Sequence, residues 1–214
     1  MKVAIIGAGN VGGALGASWC RKGHQVVFGV RNPADAKIQK LISGIKEQAT
    51  AASIAEAVAQ CETVVLATHW EGLQSTLQSA GDFAGKVLID ATNPLVMSAE
   101  FLRRGLLIGH NTSAAEQIAQ WAKGARVVKA FNTIGAQNMS NPTFGGEHAT
   151  MFICGDDNDA KQTVKQLSDD LGFETVDAGS LAIARLLEPV AMLWMQLCYG
   201  MNIGPDFCFK MLKR

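Results

Sequence analysis

The opening residues constrain the fold more than any other stretch of this chain. Val3 to Ile6 is a short apolar run that stops at a glycine, and Gly7-Ala8-Gly9-Asn10-Val11-Gly12 leads from it into an Ala/Leu-rich segment, Val11 to Lys22, that ends before Gly23. This order reads as strand, tight turn, helix and glycine stop. In the G-x-G-x-x-G spacing each glycine has its own role. The first permits the turn, the second lets the loop backbone approach a pyrophosphate, and the third lets helix and strand pack closely. The anion would rest on the positive end of the helix. Alone the pattern also describes a glycine-rich turn that binds nothing; its place between a strand and a helix gives it force.

The rest of the chain repeats that alternation. Gln25 to Val30 is a second apolar run, and Asn32-Pro33-Ala34-Asp35 follows with the marks of a helix start: Asn32 as N-cap, Pro33 at the first helical position, Asp35 in the first turn. Ser53-Ile54-Ala55-Glu56 predicts a capping box and another helix, and Thr63 to Ala67 a buried strand. Lys86 to Asp90 reads as a strand, Ser113-Ala114-Ala115-Glu116 as a capped helix start and Arg126 to Phe131 as a strand again. Short buried strands alternating with helices predict an α/β, Rossmann-type, doubly wound and mostly parallel sheet. Beyond Gly135 the pattern loosens. Asn138 to Gly146 reads as a long surface loop, followed by extra C-terminal strands at Met151 to Cys154 and Phe173 to Val176 around a helix from Asp156-Asp157. From Ser180 a long apolar helix, kinked at Pro189, runs to a break at Gly200 and Gly204-Pro205. The expected division is a dinucleotide-binding Rossmann domain over 1–179 and a C-terminal helical extension over 180–214 packed on the same body.

Composition narrows the partners. The 214 residues carry 19 Lys plus Arg against 19 Asp plus Glu, which lacks the basic surplus that tracking a nucleic-acid backbone requires. Hydrophobic residues reach 48% and charged ones only 18%, enough for a sizeable core with apolar surface left for a second copy, so a homo-oligomer, most simply a homodimer, is expected. The five cysteines are odd in number and widely spaced, which fits buried thiols in a reducing, cytoplasmic setting and no zinc or other metal site. No cleavable leader is read at the N-terminus. The apolar stretch Leu181 to Tyr199 contains Arg185, Glu188 and Pro189, so no membrane span is expected there.

Cofactor choice in such folds is written at the end of the second strand, where NAD sites place an acid on the ribose 2′-hydroxyl. This chain has Gly29-Val30-Arg31-Asn32 at that point. A missing carboxylate and a guanidinium fork suited to a 2′-phosphate favour NADP over NAD.

Several further motifs occur in order: Leu66-Ala67-Thr68-His69-Trp70-Glu71, Asp90-Ala91-Thr92-Asn93-Pro94-Leu95, Val127 to Ile134, Cys154-Gly155-Asp156-Asp157, and Asp177-Ala178-Gly179 with Arg185-Leu186-Leu187-Glu188. With the glycine loop and Arg31 they resemble the coenzyme F420-dependent NADP oxidoreductase family, within the 6-phosphogluconate-dehydrogenase-like Rossmann clan. That resemblance runs from Lys2 to about Lys210. It implies hydride transfer between NADP(H) and a 5-deazaflavin, coenzyme F420, in a protein that usually forms oligomers; the same domain serves membrane metalloreductases that pass electrons through a flavin. The chain departs from the family at Val30, where members often carry Ser, at Thr68-His69, where archaeal members resemble Ile-Pro, and at Asn132, where they resemble His.

Ligands of open α/β sheets bind beyond the carboxyl ends of the strands, near the switch in strand order. The expected cofactor residues are Gly7, Ala8, Gly9, Asn10, Val11, Gly12, Arg31, Asn32, Ala67, Thr68, His69, Asn93, Pro94, Asn132 and Ile134, with His69 and Asn132 as candidate catalytic groups that orient the reactants. Each of these has a plainer reading: a turn at Asn93-Pro94, a cap at Thr68, a self-satisfied loop residue at Asn132. His69 could donate a proton, cap a helix or touch a ribose, and His110 is a weaker version of the same. Lys129, in an apolar strand, could pair with an acid or with the substrate. Met139, Trp194, Met195, Phe207 and Phe209 could build an apolar slot for a flat ring, or could equally be core or dimer surface. β-Hydroxyacid dehydrogenases resemble this domain but carry a helical lysine that Ser180 to Tyr199 lacks, which turns the expectation toward a flavin-type acceptor whose ring spreads the incoming charge. Two rival readings stand beside it: an NADPH-dependent reductase of a small imine or ketone, and a non-catalytic NADPH-binding sensor or electron-transfer subunit.

Overall fold

A computed structural model describes residues 1–45, 48–96, 98 and 100–214. β1 (Lys2–Ile6) leads through the glycine turn into α1 (Asn10–Arg21), and β2 (Gln25–Gly29), α2 (Ala36–Ser43), β3 (Ala49–Ala52), α3 (Ile54–Gln60), β4 (Thr63–Leu66), α4 (Leu73–Ser79) and β5 (Val87–Asp90) continue the alternation. A short α5 (Phe101–Arg104) precedes α6 (Ala114–Trp121) and β6 (Arg126–Lys129). After a small hairpin of β7 (Thr143–Phe144) and β8 (Glu147–His148) come β9 (Thr150–Gly155), α7 (Asn158–Asp170), β10 (Glu174–Asp177) and α8 (Ala184–Met195).

Eight strands form one sheet in the order β10-β9-β6-β5-β4-β1-β2-β3, parallel at every seam except β6 against β9. A parallel sheet must be covered on both faces, and the strands are accordingly apolar on both. Val3 and Ile5 face one core with Leu15, Trp19 and Phe28, while Ala4 and Ile6 face the other with Val64, Leu66, Leu73 and Ile118. The chain leaves β1 toward β2 and β3, then returns to place β4 on the other side of β1. That reversal sets the crevice between β1 and β4, at the carboxyl ends of the strands.

Two predicted caps form as read. Ser53 accepts from the Glu56 N–H while Glu56 reaches back to the Ser53 N–H, and Ser113 accepts from the Glu116 N–H. The start of α2 differs: Asp35, not Asn32, is its N-cap, accepting from the Lys37 N–H, and Asn32 instead holds the Ala34 N–H in a turn before the helix. Both residue types suit either role, and Pro33 leaves room for the turn before the helix begins.

The stretch from Asn138 to Gly146 is not a surface loop throughout. Asn138 closes a 3₁₀ turn, Ala136–Asn138, and is buried together with Met139, because the C-terminal tail folds over them and the Asn138 amide donates to the Pro205 carbonyl at 2.7 Å. Met139 is thus core rather than part of a ligand slot. The C-terminal helix also differs in detail. α8 continues through Pro189, whose ring lies on the exposed side, and the departure from α geometry falls later, in a π turn over Gln196–Gly200. By length and composition Leu181–Gly200 could cross a membrane despite Arg185, Glu188 and Pro189. Its inner face, with Leu181, Ala184, Leu187, Ala191, Trp194 and Cys198, is buried against the sheet domain. Beyond it the tail reaches β9, where the Thr150 N–H donates to the Phe209 carbonyl at 3.1 Å. Cys20, Cys61, Cys154 and Cys198 are buried free thiols, and Cys208 is half-buried.

Candidate active site

The glycine loop is shaped by close approach. A Cβ at Gly7, whose φ is +103°, would lie 2.5 Å from the Ala67 carbonyl oxygen across the crevice. At Gly12 a Cβ would fall 2.0 Å from the Gly7 carbonyl oxygen. These two glycines let loop, helix and the end of β4 meet. Gly9 is the opposite case, since nothing lies within 4 Å of where its Cβ would stand. It is also the N-cap of α1, which has no side-chain cap and no acid in its first turn. The start of α1 therefore carries N–H groups with no side-chain cap beside the open space at Gly9, the arrangement that receives a phosphate.

Beside the loop, Arg31 follows the end of β2. Its side chain is exposed and makes no ion pair among the described residues. Asn32 is exposed next to it, so the end of β2 offers a free guanidinium and no carboxylate to an anion coming from the loop.

On the other side of the crevice the ends of β4, β5 and β6 bring Ala67-Thr68-His69, Thr92-Asn93-Pro94 and Asn132-Thr133-Ile134 to the same edge of the sheet. Asn93 and Asn132 meet there. The Asn132 Nδ2 donates to Asn93 Oδ1 and to the Leu187 carbonyl, each at 3.1 Å, while Asn93 Nδ2 donates to the Asn132 carbonyl at 3.4 Å. The Leu187 carbonyl fixes which way the Asn132 amide faces, because only its NH₂ side can approach an acceptor. Asn132 Oδ1 is left as the one buried side-chain polar atom without a partner among the described residues. Such an atom costs about 1–3 kcal/mol unless a donor arrives. His69 is exposed and Thr68 and Ile134 are half-buried; His110 is exposed in a separate turn with φ +62°.

The turn that delivers Asn132 is strained. Phe131 has φ +62°, a conformation foreign to a bulky side chain and worth about 1–3 kcal/mol, and its ring is held by edge contacts with Trp19 and Phe173. The sequence carries no mark of that strain, since a left-handed residue is signalled only where it is Gly, Asn or Asp.

Beneath the asparagine pair lies a buried charge cluster. Lys129 Nζ donates to Asp90 Oδ2 at 2.8 Å, Glu188 Oε1 at 3.0 Å and the Thr92 carbonyl at 2.6 Å. Burial alone would push this ammonium down, but the two carboxylates outweigh it and hold it above its ordinary value. Burial pushes the Glu188 carboxyl up, against the pull of Lys129. Of the two sequence readings of Lys129, the acid partner is therefore the one formed. Glu188 and Leu187, which the sequence did not place in the site, enter it through α8; only a fold that lays that helix across the ends of β5 and β6 could reveal them.

An aromatic wall stands nearby. The Trp194 and Phe207 rings stack with centroids 5.2 Å apart, Tyr199 packs edge-on to Trp194 and to Phe101, and Phe209 edge-on to Phe207. Trp194 also closes on Gly135, where a Cβ would lie 2.6 Å from its ring, which ties the wall to the loop after Ile134.

The chain is similar to several known proteins. Residues 2–94 match the family model of coenzyme F420-dependent NADP oxidoreductases. Metalloreductase STEAP3 of Rattus norvegicus is 33% identical over 193 residues, 89% of this chain but 36% of that protein, so the chain spans about a third of the length of that metalloreductase. The F420-dependent NADP reductase of Methanocaldococcus jannaschii is 26% identical over 216 residues, covering 95% of this chain and 93% of the relative. A crystal structure of a proposed F420-dependent NADP reductase from Arthrobacter sp. FB24 superposes with a TM-score of 0.88 at 32% identity, covering 100% of both chains.

Proposed function

The chain belongs to the coenzyme F420-dependent NADP oxidoreductase family, and from that premise we propose that it transfers hydride between NADP(H) and the ring of a deazaflavin or flavin. The observation that carries the reading is the crevice itself: an uncapped helix end over an open Gly9, a free Arg31 on one side and an unsatisfied Asn132 acceptor on the other. These residues fit the nucleotide in order. The N–H groups from Ala8 to Gly12 hold the pyrophosphate, Arg31 and Asn32 the 2′-phosphate, and Ala67, Thr68 and His69 flank the nicotinamide ribose. Asn132 Oδ1 accepts from the carboxamide N–H of the nicotinamide, and Asn93, Pro94 and Ile134 shape the surface beneath the ring. When bound, NADPH supplies the hydride from its nicotinamide C4; the protein's part is orientation and exclusion of water.

An acceptor that spreads charge over a conjugated ring needs no strong acid, which suits a crevice where the buried Asn132 offers only an amide and the Lys129 ammonium is already held by Asp90, Glu188 and the Thr92 carbonyl. The exposed Tyr199 and half-buried Phe207, packed on the buried Trp194, support a flat partner better than a small ketone. The unpaired Leu186, Leu193, Met201 and Ile203 on the outer side of this region support a homodimer, and the free thiols support a reducing, cytoplasmic setting.

The test is to mix protein, NADPH and purified F420 or flavin and follow the absorbance of both rings. Turnover with at least one flavin-type acceptor is expected, and NADPH binding without turnover by any acceptor would overturn the catalytic reading. In Arg31→Ala the affinity for NADPH should fall by at least about tenfold while that for NADH changes little, since a charge-assisted contact to the 2′-phosphate is lost.

A further inference from the structure

The Lys129 cluster is a poor device for stability, because desolvating three charges offsets much of their attraction and apolar residues of equal volume often do as well. What it holds is more telling. Asp90 Oδ1 accepts from both the N–H and the hydroxyl of Thr92, at 2.8 and 2.7 Å, while the ammonium takes the Thr92 carbonyl. Thr92 is thus fixed on three sides, and the next residue is Asn93, whose Oδ1 receives one Asn132 N–H. Glu188 accepts from the Ala114 and Ala115 N–H groups at 3.1 and 3.3 Å, at the start of α6, and contacts the same ammonium. The residue before it is Leu187, whose carbonyl receives the other Asn132 N–H. Both anchors of the Asn132 amide therefore meet at one buried nitrogen.

We propose that Lys129, Asp90 and Glu188 are positioning residues that clamp the Asn132 amide from two elements, and so set the orientation of the nicotinamide ring for hydride transfer. The clamp joins β5, β6 and α8 beneath the ring, away from the groups that grip the phosphates. Affinity and orientation are consequently separable in this site: the first belongs to the glycine loop and Arg31, the second to the cluster. The proposal rests on the NADP(H) reading above.

Two variants test it. Glu188→Gln keeps the side-chain volume and removes one of the two carboxylates that hold the Lys129 ammonium, loosening the α8 side of the clamp. Lys129→Met/Glu188→Gln removes one cation and one anion together, so the net charge of the cluster is unchanged. NADPH affinity and stoichiometry are measured by calorimetry, the fluorescence lifetime of the bound nicotinamide reports its immobilisation, and kcat is measured with the acceptor that wild type uses. The expected result is an affinity within about threefold of wild type, as distant sites behave independently, with a shortened lifetime for the bound nucleotide. In the double variant kcat should fall by roughly ten- to a hundredfold at an unchanged KM for NADPH. A merely structural role would lower the melting temperature and the active fraction but could not move the lifetime of the bound population. Wild-type lifetimes in both variants would overturn the proposal, and if the double variant does not fold, Glu188→Gln decides alone. Absence of NADPH binding by the wild-type protein would instead remove the reading on which it rests.

Discussion

The three motif glycines are chemically identical, and the tertiary contacts give them opposite sensitivities. Gly12 has no room for a methyl group, so Gly12→Ala must push helix from loop and should cost about 1–3 kcal/mol or more of stability, measured by urea unfolding. Gly9 stands in open space with an ordinary φ of −78°. Gly9→Ala should therefore melt with the wild type yet bind NADPH at least about tenfold more weakly, because its methyl enters the volume the pyrophosphate needs. Equal affinity in calorimetry would count against the cradle. The motif was legible in the sequence because a backbone requirement selects a residue type. Phe131 shows the converse: its left-handed backbone is imposed by packing against Trp19 and Phe173, and nothing in its identity announces it.

Among the elements, α6 and α8 are joined by more than apolar burial. Arg185 grips Glu116 with two hydrogen bonds, of 2.9 and 2.6 Å, and Glu116 also caps with Ser113 at the start of α6. The Arg185 guanidinium, and to a lesser degree the Ser113 contacts, hold the Glu116 carboxyl below its ordinary value. A carboxyl with a depressed folded-state pKa adds stability that is fully present above its unfolded value and disappears as the pH falls through the folded one. Urea midpoints measured from about pH 7 down to about pH 3 should show an acid loss that is smaller in Arg185→Gln than in wild type. Ser113→Ala, which removes a buried cap, should cost about 1 kcal/mol in the same assay at neutral pH. The cap at Ser113 was readable because it spans three residues. The bridge to Arg185 was not, since the partners lie 69 positions apart.

At the scale of the whole molecule, one side of the C-terminal region faces outward. Leu186, Leu193, Tyr199, Met201 and Ile203 are each at least half exposed, and Ala182, Leu186, Pro189, Leu193 and Gln196 recur along one face of the helix at intervals of three and four. If this face joins two copies, Leu193→Asp should shift the sedimentation profile toward monomer while NADPH affinity is retained. The alternation of short apolar runs with capped helices, the glycine turn and the missing acid after β2 could all be read along the chain, because each is enforced within a few residues by backbone geometry, hydrogen-bond satisfaction or periodic burial. Those signals determined a doubly wound sheet and a crevice at its switch point between β1 and β4. Only the tertiary structure decided what completes it. The antiparallel β9, the burial of Asn138 and Met139 under the tail, and the meeting of Lys129 with Asp90 and Glu188 join residues 20 to 70 positions apart. A lone lysine or glutamate reads as solvated surface until folding removes its water and leaves another charge as its nearest partner.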